Sequence, residues 1–343
     1  ALLVSTSKQM PACIQELHAK GLDYPVLIGG AAINRAFGYR ALYPGGRESE
    51  DLYAPGVFYC KDAFEGLSVM DQLVDADARS ALVEKLRTGA RAFREKGEEP
   101  EEQLDFSDDS VRSGASTDAP VPTPPFWGAR EIPVDLDELY RHLDTHVLFK
   151  LHWGGRGKKG EAWRELLNDD FRPRLERMWI EGTRGADGGG PWLHPRALLG
   201  FFPCYALGNE IVVLDPEDRT SELTRFVCPR QPKGERICLA DFFRPAADDG
   251  TPPAELDVVA LQAVTVGGEV TERMARLEHE GEFAEQLFVH GLGVQTAEGL
   301  AEWLHHEVRA MLGIPATQGR RYSWGYPAVP EQSEHLKVDA LLD

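Results

Sequence analysis

Pro25-Val26-Leu27-Ile28-Gly29-Gly30 and, further along, Val57-Phe58-Tyr59-Cys60 are the stretches that decide how the N-terminal part of this chain folds. Each is a short apolar run with β-branched or aromatic side chains, bounded by glycine, proline or polar residues, as a strand buried on both faces reads. Met10–Lys20 precedes the first run with helical apolar spacing and ends at Gly21; Ala63–Val74 follows the second and is again helical. Strands separated by helices of this length predict βαβ units on a parallel sheet. Leu2–Val4 predicts a further short strand, and residues 76–95 a charged helix. Residues 1–95 are therefore expected to form an α/β unit.

Outward from there the composition changes. Between about Gly97 and Thr123, Glu98, Glu99, Glu101, Glu102, Asp105, Asp108, Asp109 and Asp118 are interrupted by Ser, Gly and Pro. Many like charges and few apolar groups cannot offset the entropy of ordering, so residues 96–123 are expected to be an acidic flexible linker. After Pro124 helical patterns (about 135–144, 160–180, 270–288 and 296–312) mix with strand runs at Ala197–Phe202, Glu210–Leu214 and Val258–Val266. Residues 124–343 thus predict a second, mixed α+β domain. A chain of 343 residues has room for both, since single cores stop growing at roughly 250–300 residues. Ala1-Leu2-Leu3-Val4 starts like mid-strand and Val338–Asp343 stops within a helical pattern, so both ends are expected to be cut.

A net charge of −19 argues against a nucleic-acid partner, whose phosphates are met mainly by Lys and Arg. Cys13, Cys60, Cys204, Cys228 and Cys238 are odd in number and form no CxxC pair, so neither a disulfide framework nor a thiolate zinc site is suggested. A reducing cytoplasm suits them. No apolar stretch approaches the roughly 20 residues that span a bilayer, and the N-terminus lacks the features of a signal peptide.

Gly29-Gly30 falls where a parallel strand ends, the place where open α/β sheets bind ligands. A plain tight turn fits the same residues, and the GxGxxG spacing of nicotinamide sites is absent. Gly154-Gly155-Arg156-Gly157-Lys158-Lys159-Gly160 lacks the Walker order and reads as a basic turn; His305-His306-Glu307 lacks the HExxH order of a helical zinc site. No catalytic group and no metal ligand is nominated. Asp241, inside the apolar run Cys238–Phe243, needs a partner, because an unpaired buried charge is costly. A nearby arginine or a ligand's ammonium or hydroxyl group would serve. Arg320-Arg321-Tyr322-Ser323-Trp324-Gly325-Tyr326-Pro327 joins guanidinium forks, aromatic faces and a glycine turn. It reads equally as a surface turn or as a kit for an amino-acid carboxylate and a purine.

In order along the chain, these segments resemble the cobalamin-dependent methionine synthase family. Ala1–Val4, Pro25–Ala31 and Tyr59–Ala63 look like the later strands of its Rossmann-like B12-binding domain. Pro124–Gly128, Asp135–Leu139, His152–Gly154, Leu199–Pro203, Cys238–Phe242, Val264–Gly267, Leu304-His305 and Gly325–Ala328 are similar to its reactivation domain. The resemblance implies a parallel-sheet remnant holding the cobalamin tail through Val4, Gly29, Gly30 and Ala63. It further implies a domain holding S-adenosylmethionine through Asp241, Glu298, Arg321, Ser323, Gly325 and Tyr326, with Arg321 on the ligand carboxylate.

In that family, methyl groups pass from 5-methyltetrahydrofolate through cobalamin to homocysteine. Oxidised cofactor is repaired with S-adenosylmethionine and one electron from a flavodoxin-type donor. The resemblance places this chain in the repair stage. The axial-histidine motif DxHxxG, the closing tyrosine-bearing strand and the homocysteine and folate modules with their zinc are not in this sequence. Little methionine synthesis and weak S-adenosylmethionine binding are therefore expected of the chain alone. Rival readings are a corrinoid carrier without methyl transfer, which would carry DxHxxG, and a nucleotide-dependent oxidoreductase, which would carry GxGxxG.

Overall fold

The computed structural model describes residues 4–30, 33–46, 49–61, 63–95, 112–186, 189–231, 236–326 and 328–343. The expectations for Ala1–Leu3, Ala31, Asp62, Pro327 and the acidic stretch 96–111 lie outside the described residues.

The two decisive runs are parallel neighbours. β1 (Val26–Gly29) pairs with β2 (Val57–Cys60) in the register Val26↔Val57 to Gly29↔Cys60. α2 (Arg35–Ala41) lies between them in sequence, started by Asn34, whose side chain accepts from the Phe37 N–H. α1 (Val4–Ala19) precedes β1, while α3 (Ala63–Val74) and α4 (Ala76–Glu95) follow β2. Ile14, Ile28, Leu42, Tyr53 and Val57 form the centre of this unit. The Tyr53 hydroxyl donates to the carbonyls of Leu22 and Tyr24, tying the turn before β1 to that core. Gly29 is required by the pairing itself, since a Cβ there would lie 2.6 Å from the Cys60 carbonyl oxygen.

One expectation fails here. Val4, predicted at the end of a strand, is the first residue of α1. The described sheet has two strands and offers no third partner. A helix satisfies its backbone groups internally where an unpaired strand cannot.

The second unit is built on a curled antiparallel sheet. β4 (Arg196–Leu207) is its spine and pairs with β3 (Gly128–Ile132) along Ala197–Phe201, β7 (Asp257–Thr265) along Arg196–Cys204, and β5 (Glu210–Leu214) along Cys204–Leu207. β6 (Glu222–Val227) extends the sheet beyond β5. The period-two alternation of β4 separates two cores. Ala197, Leu199 and Phe201 face a helical layer; Phe202, Cys204 and Ala206 face the other side.

The helical layer comprises α5 (Leu136–Arg141), α6 (Thr145–Val147), a π-helical turn over Leu148–His152, α7 (Gly160–Glu165), a second π-helical turn over Leu166–Phe171, α8 (Arg172–Arg184), α9 (Glu269–His279) and α10 (Phe283–Leu312). The other face is covered by α11 (His335–Leu342), which supplies Val338 and Leu342. Each fully buried Leu or Phe of these cores contributes about 1.5–3 kcal/mol.

α10 overturns the expected break between 288 and 296. The chain breaks instead at Gly281, whose φ of +78° suits glycine. Gly291, Gly293 and Gly299 stay helical because they let other segments approach. A Cβ on Gly291 would lie 2.7 Å from the Cβ of His152, and one on Gly299 would lie 3.1 Å from the carbonyl oxygen of His142. No described helix is long and apolar enough to cross a membrane.

Candidate functional site

Asp241 sits in a short 3-10 turn, Leu239–Phe242, and is fully buried. Its partner is an arginine, but one the sequence did not single out. Arg230, itself 3 % exposed, grips the carboxylate bidentately at 2.6 and 2.8 Å. Arg230 is fixed in turn, donating to the Arg236 carbonyl at 2.8 Å and to Asn209 Oδ1 at 2.9 Å. The N–H groups of Ser113 (3.0 Å) and Cys238 (3.3 Å) also donate to Asp241. Burial pushes the carboxyl pKa up, yet the Arg230 fork and the donated hydrogen bonds outweigh it and hold the group well below the usual carboxylate range.

Residues 112–123 have no regular secondary structure, as a linker would, but their first two residues are anchored to this turn. One Arg112 Nη donates to the carbonyls of Ala240 (3.3 Å), Asp241 (2.9 Å) and Phe243 (2.8 Å). A freely flexible segment over the whole of 96–123 is therefore corrected at Arg112–Ser113. The cause is a set of hydrogen bonds reaching 128 residues or more along the chain, which local composition cannot reveal.

Arg321 lies elsewhere, against α10. Its guanidinium is 3.8 Å from Glu298 and 3.6 Å from Glu302, ion pairs too long to be hydrogen bonds. Its Nε is buried and has no hydrogen-bond partner. Glu302 also pairs with His306 at 3.3 Å, whose ring stands edge-on to His142. Burial, helped by the nearby Arg309 and Arg321 cations, holds the adjacent His305 imidazole below its usual pKa. Neither Glu302 nor His306 was among the expected ligand residues. The i, i+4 spacing of Glu298, Glu302 and His306 on one helix face is the signal that could have drawn them in.

The turn after Arg321 is built as its glycine implies. Gly325 has φ +92° and donates to the Val329 carbonyl at 2.7 Å, while Val329 N–H returns to the Tyr326 carbonyl at 3.0 Å. Ser323 and Tyr326 are exposed. Trp324 stacks on Phe226 with centroids 4.9 Å apart, so the turn hangs from the core that also holds Cys238 and Ala240 beside Asp241. The two turns thus share a foundation, although among the described residues no hydrogen bond or ion pair joins Asp241 to Arg321. Glu298, Arg321 and the Ser323–Tyr326 turn make one cluster; Asp241 makes another with Arg230.

Arg321 has hydrogen-bond donor capacity left over. A buried, unmatched Nε–H beside loosely held charges is a donor in want of an acceptor. In the first unit, Gly29 ends β1, Gly30 follows it exposed at φ +117°, and Ala63 opens α3 just after β2. Val4 stands apart from them in sequence, at the start of α1. Among the described residues no group of three or more His, Cys, Asp or Glu is placed to hold a metal.

The family profile for the activation domain of vitamin B12-dependent methionine synthase matches residues 186–343. Methionine synthase of Mycobacterium leprae is 31 % identical over 383 aligned residues, covering 99 % of this chain and 31 % of the relative. Methionine synthase of Mycobacterium tuberculosis is 32 % identical over 390, covering 100 % of the chain and 31 % of the relative. The chain therefore spans about a third of the length of these relatives. A crystal structure of a MetH reactivation domain bound to AdoHcy aligns with a TM-score of 0.52 at 24 % identity, over 65 % of this chain and 72 % of that one, a likeness of fold.

Proposed function

This chain belongs to the vitamin B12-dependent methionine synthases through their activation domain, and from that membership we propose that residues 124–343 bind S-adenosylmethionine for the reductive methylation of cob(II)alamin. Residues 1–95 are the C-terminal part of a cobalamin-binding domain, whose tail contacts are Val4, Gly29, Gly30 and Ala63. Residues 96–123 join the two. Within the whole protein the route runs from 5-methyltetrahydrofolate through cobalamin to homocysteine, with a flavodoxin-type donor supplying the electron for repair.

The observation that carries this reading is Arg321. Its buried, unmatched Nε–H and loose ion pairs to Glu298 and Glu302 offer a fork for the ligand carboxylate, with the Ser323–Tyr326 turn beside it for the adenosine. Cobalamin supplies the methyl-transfer and redox chemistry when bound; the protein's part is to bind and orient the sulfonium. A zwitterion also wants an anion for its ammonium, which Glu298 and Asp241 offer.

Calorimetric titration with S-adenosylmethionine tests this. Arg321→Ala is expected to weaken binding by at least about tenfold, the scale of a charged hydrogen-bonded contact. Unchanged affinity removes Arg321 from the site and the reading with it.

A further inference from the structure

We infer that Arg112 and Ser113 form a strap that competes with the ligand for Asp241, so that ligand entry releases Arg112 and Ser113 from the turn. The inference rests on the reading of Asp241 as a ligand-holding side chain. Asp241 accepts four hydrogen bonds, one at Oδ1 and three crowded onto Oδ2. Two come from Arg230 and one from Cys238 N–H. Those donors are fixed: Arg230 is held by Asn209 and the Arg236 carbonyl, and Cys238 opens the turn that carries Asp241. The fourth is Ser113 N–H at 3.0 Å, from a residue 128 positions away on a segment without regular structure. It occupies Oδ2 and closes the carboxylate off from a ligand ammonium or hydroxyl.

The strap is built to be displaced. It is held by Arg112 on the carbonyls of Ala240, Asp241 and Phe243, contacts that can be broken without disturbing the sheet. Its other guanidinium nitrogen, Arg112 Nη1, is buried and has no hydrogen-bond partner, which lowers its net hold. Asp241 is fully buried with the strap seated, so a ligand reaches the carboxylate only by moving a neighbour. Ser113 is the neighbour whose loss leaves the turn intact. A protein whose binding-competent form is partly populated binds with an affinity reduced by that fraction.

S-adenosylmethionine is titrated into the full chain and into its Arg112→Ala and Ser113→Pro variants; the proline removes the competing N–H. Both variants are expected to bind at least about fivefold more tightly, as relief of a self-occupied site requires. Equal or weaker binding overturns the strap, while the ligand reading survives as long as the full chain binds. No binding to any of the three overturns both. Hydrogen exchange on the unaltered chain gives a readout independent of variant folding. The Ser113 amide is expected to lose protection at saturating ligand, and retained protection overturns the inference.

Discussion

Among the described residues, Asp241 and Arg230 form the most deeply buried ion pair. Both are buried, and each satisfies the other, so removing one leaves an uncompensated charge in the core. Arg230→Ala is expected to lose about 3–5 kcal/mol of stability, read from urea unfolding. A loss below about 1 kcal/mol would mean that the pair behaves like an exposed ion pair. The acid limb follows from the same pair. The folded pKa of Asp241 lies below its ordinary value of about 3.8, so the unfolded state binds the extra proton as pH falls. The pair's contribution is complete above that value and declines below it. Between about pH 4 and about pH 2 the urea midpoint of the unaltered chain should fall more steeply than that of Asp241→Asn. Parallel slopes would show that the carboxylate contributes nothing to acid sensitivity. At this scale the sequence makes the need for a cation at Asp241 legible, because a carboxylate inside Cys238–Phe243 has to be paired. Which cation is not legible: Arg230 arrives from beyond β6, and Arg112, which holds the turn's carbonyls, from 129 positions back in the sequence.

Elements were legible where a pattern is self-contained. Ala63–Val74, residues 76–95 and Glu210–Leu214 carry their own periodicity and end where it ends. β3 and β6 were missed, being short segments with charged residues that acquire strand form by pairing with β4 and β5. α10 was split in expectation because glycine reads as a breaker. In the fold its glycines are contact points, and tertiary packing outweighs propensity. Gly291→Ala separates the two effects. Propensity alone favours alanine by about 1 kcal/mol, whereas overpacking against His152 and Trp153 costs about 1–3 kcal/mol. A net loss of up to about 2 kcal/mol in thermal or urea unfolding is expected. A gain would show that the π-helical turn at Leu148–His152 yields freely, and the close approach would then have no energetic weight.

For the whole molecule, two units of different construction occur on one chain: a small parallel pair with its helices, and a curled antiparallel sheet between a helical layer and α11. The sequence distinguished them because strand–helix alternation before the acidic stretch gives way to mixed runs after it. It could not show that Asp241 and the Gly325 turn hang from one hydrophobic core, since Phe226, Cys238, Trp324 and Val329 meet only through the sheet's curl. That shared foundation is what makes a single ligand site spanning both turns physically reasonable. Ultraviolet cross-linking of methyl-labelled S-adenosylmethionine to the chain, followed by peptide mapping, tests it most directly. The label is expected on peptides from the α10–Tyr326 region, and its yield should fall with Arg321→Ala. Label confined to residues 4–95, or spread without preference and indifferent to Arg321, would contradict the assignment of this domain to S-adenosylmethionine.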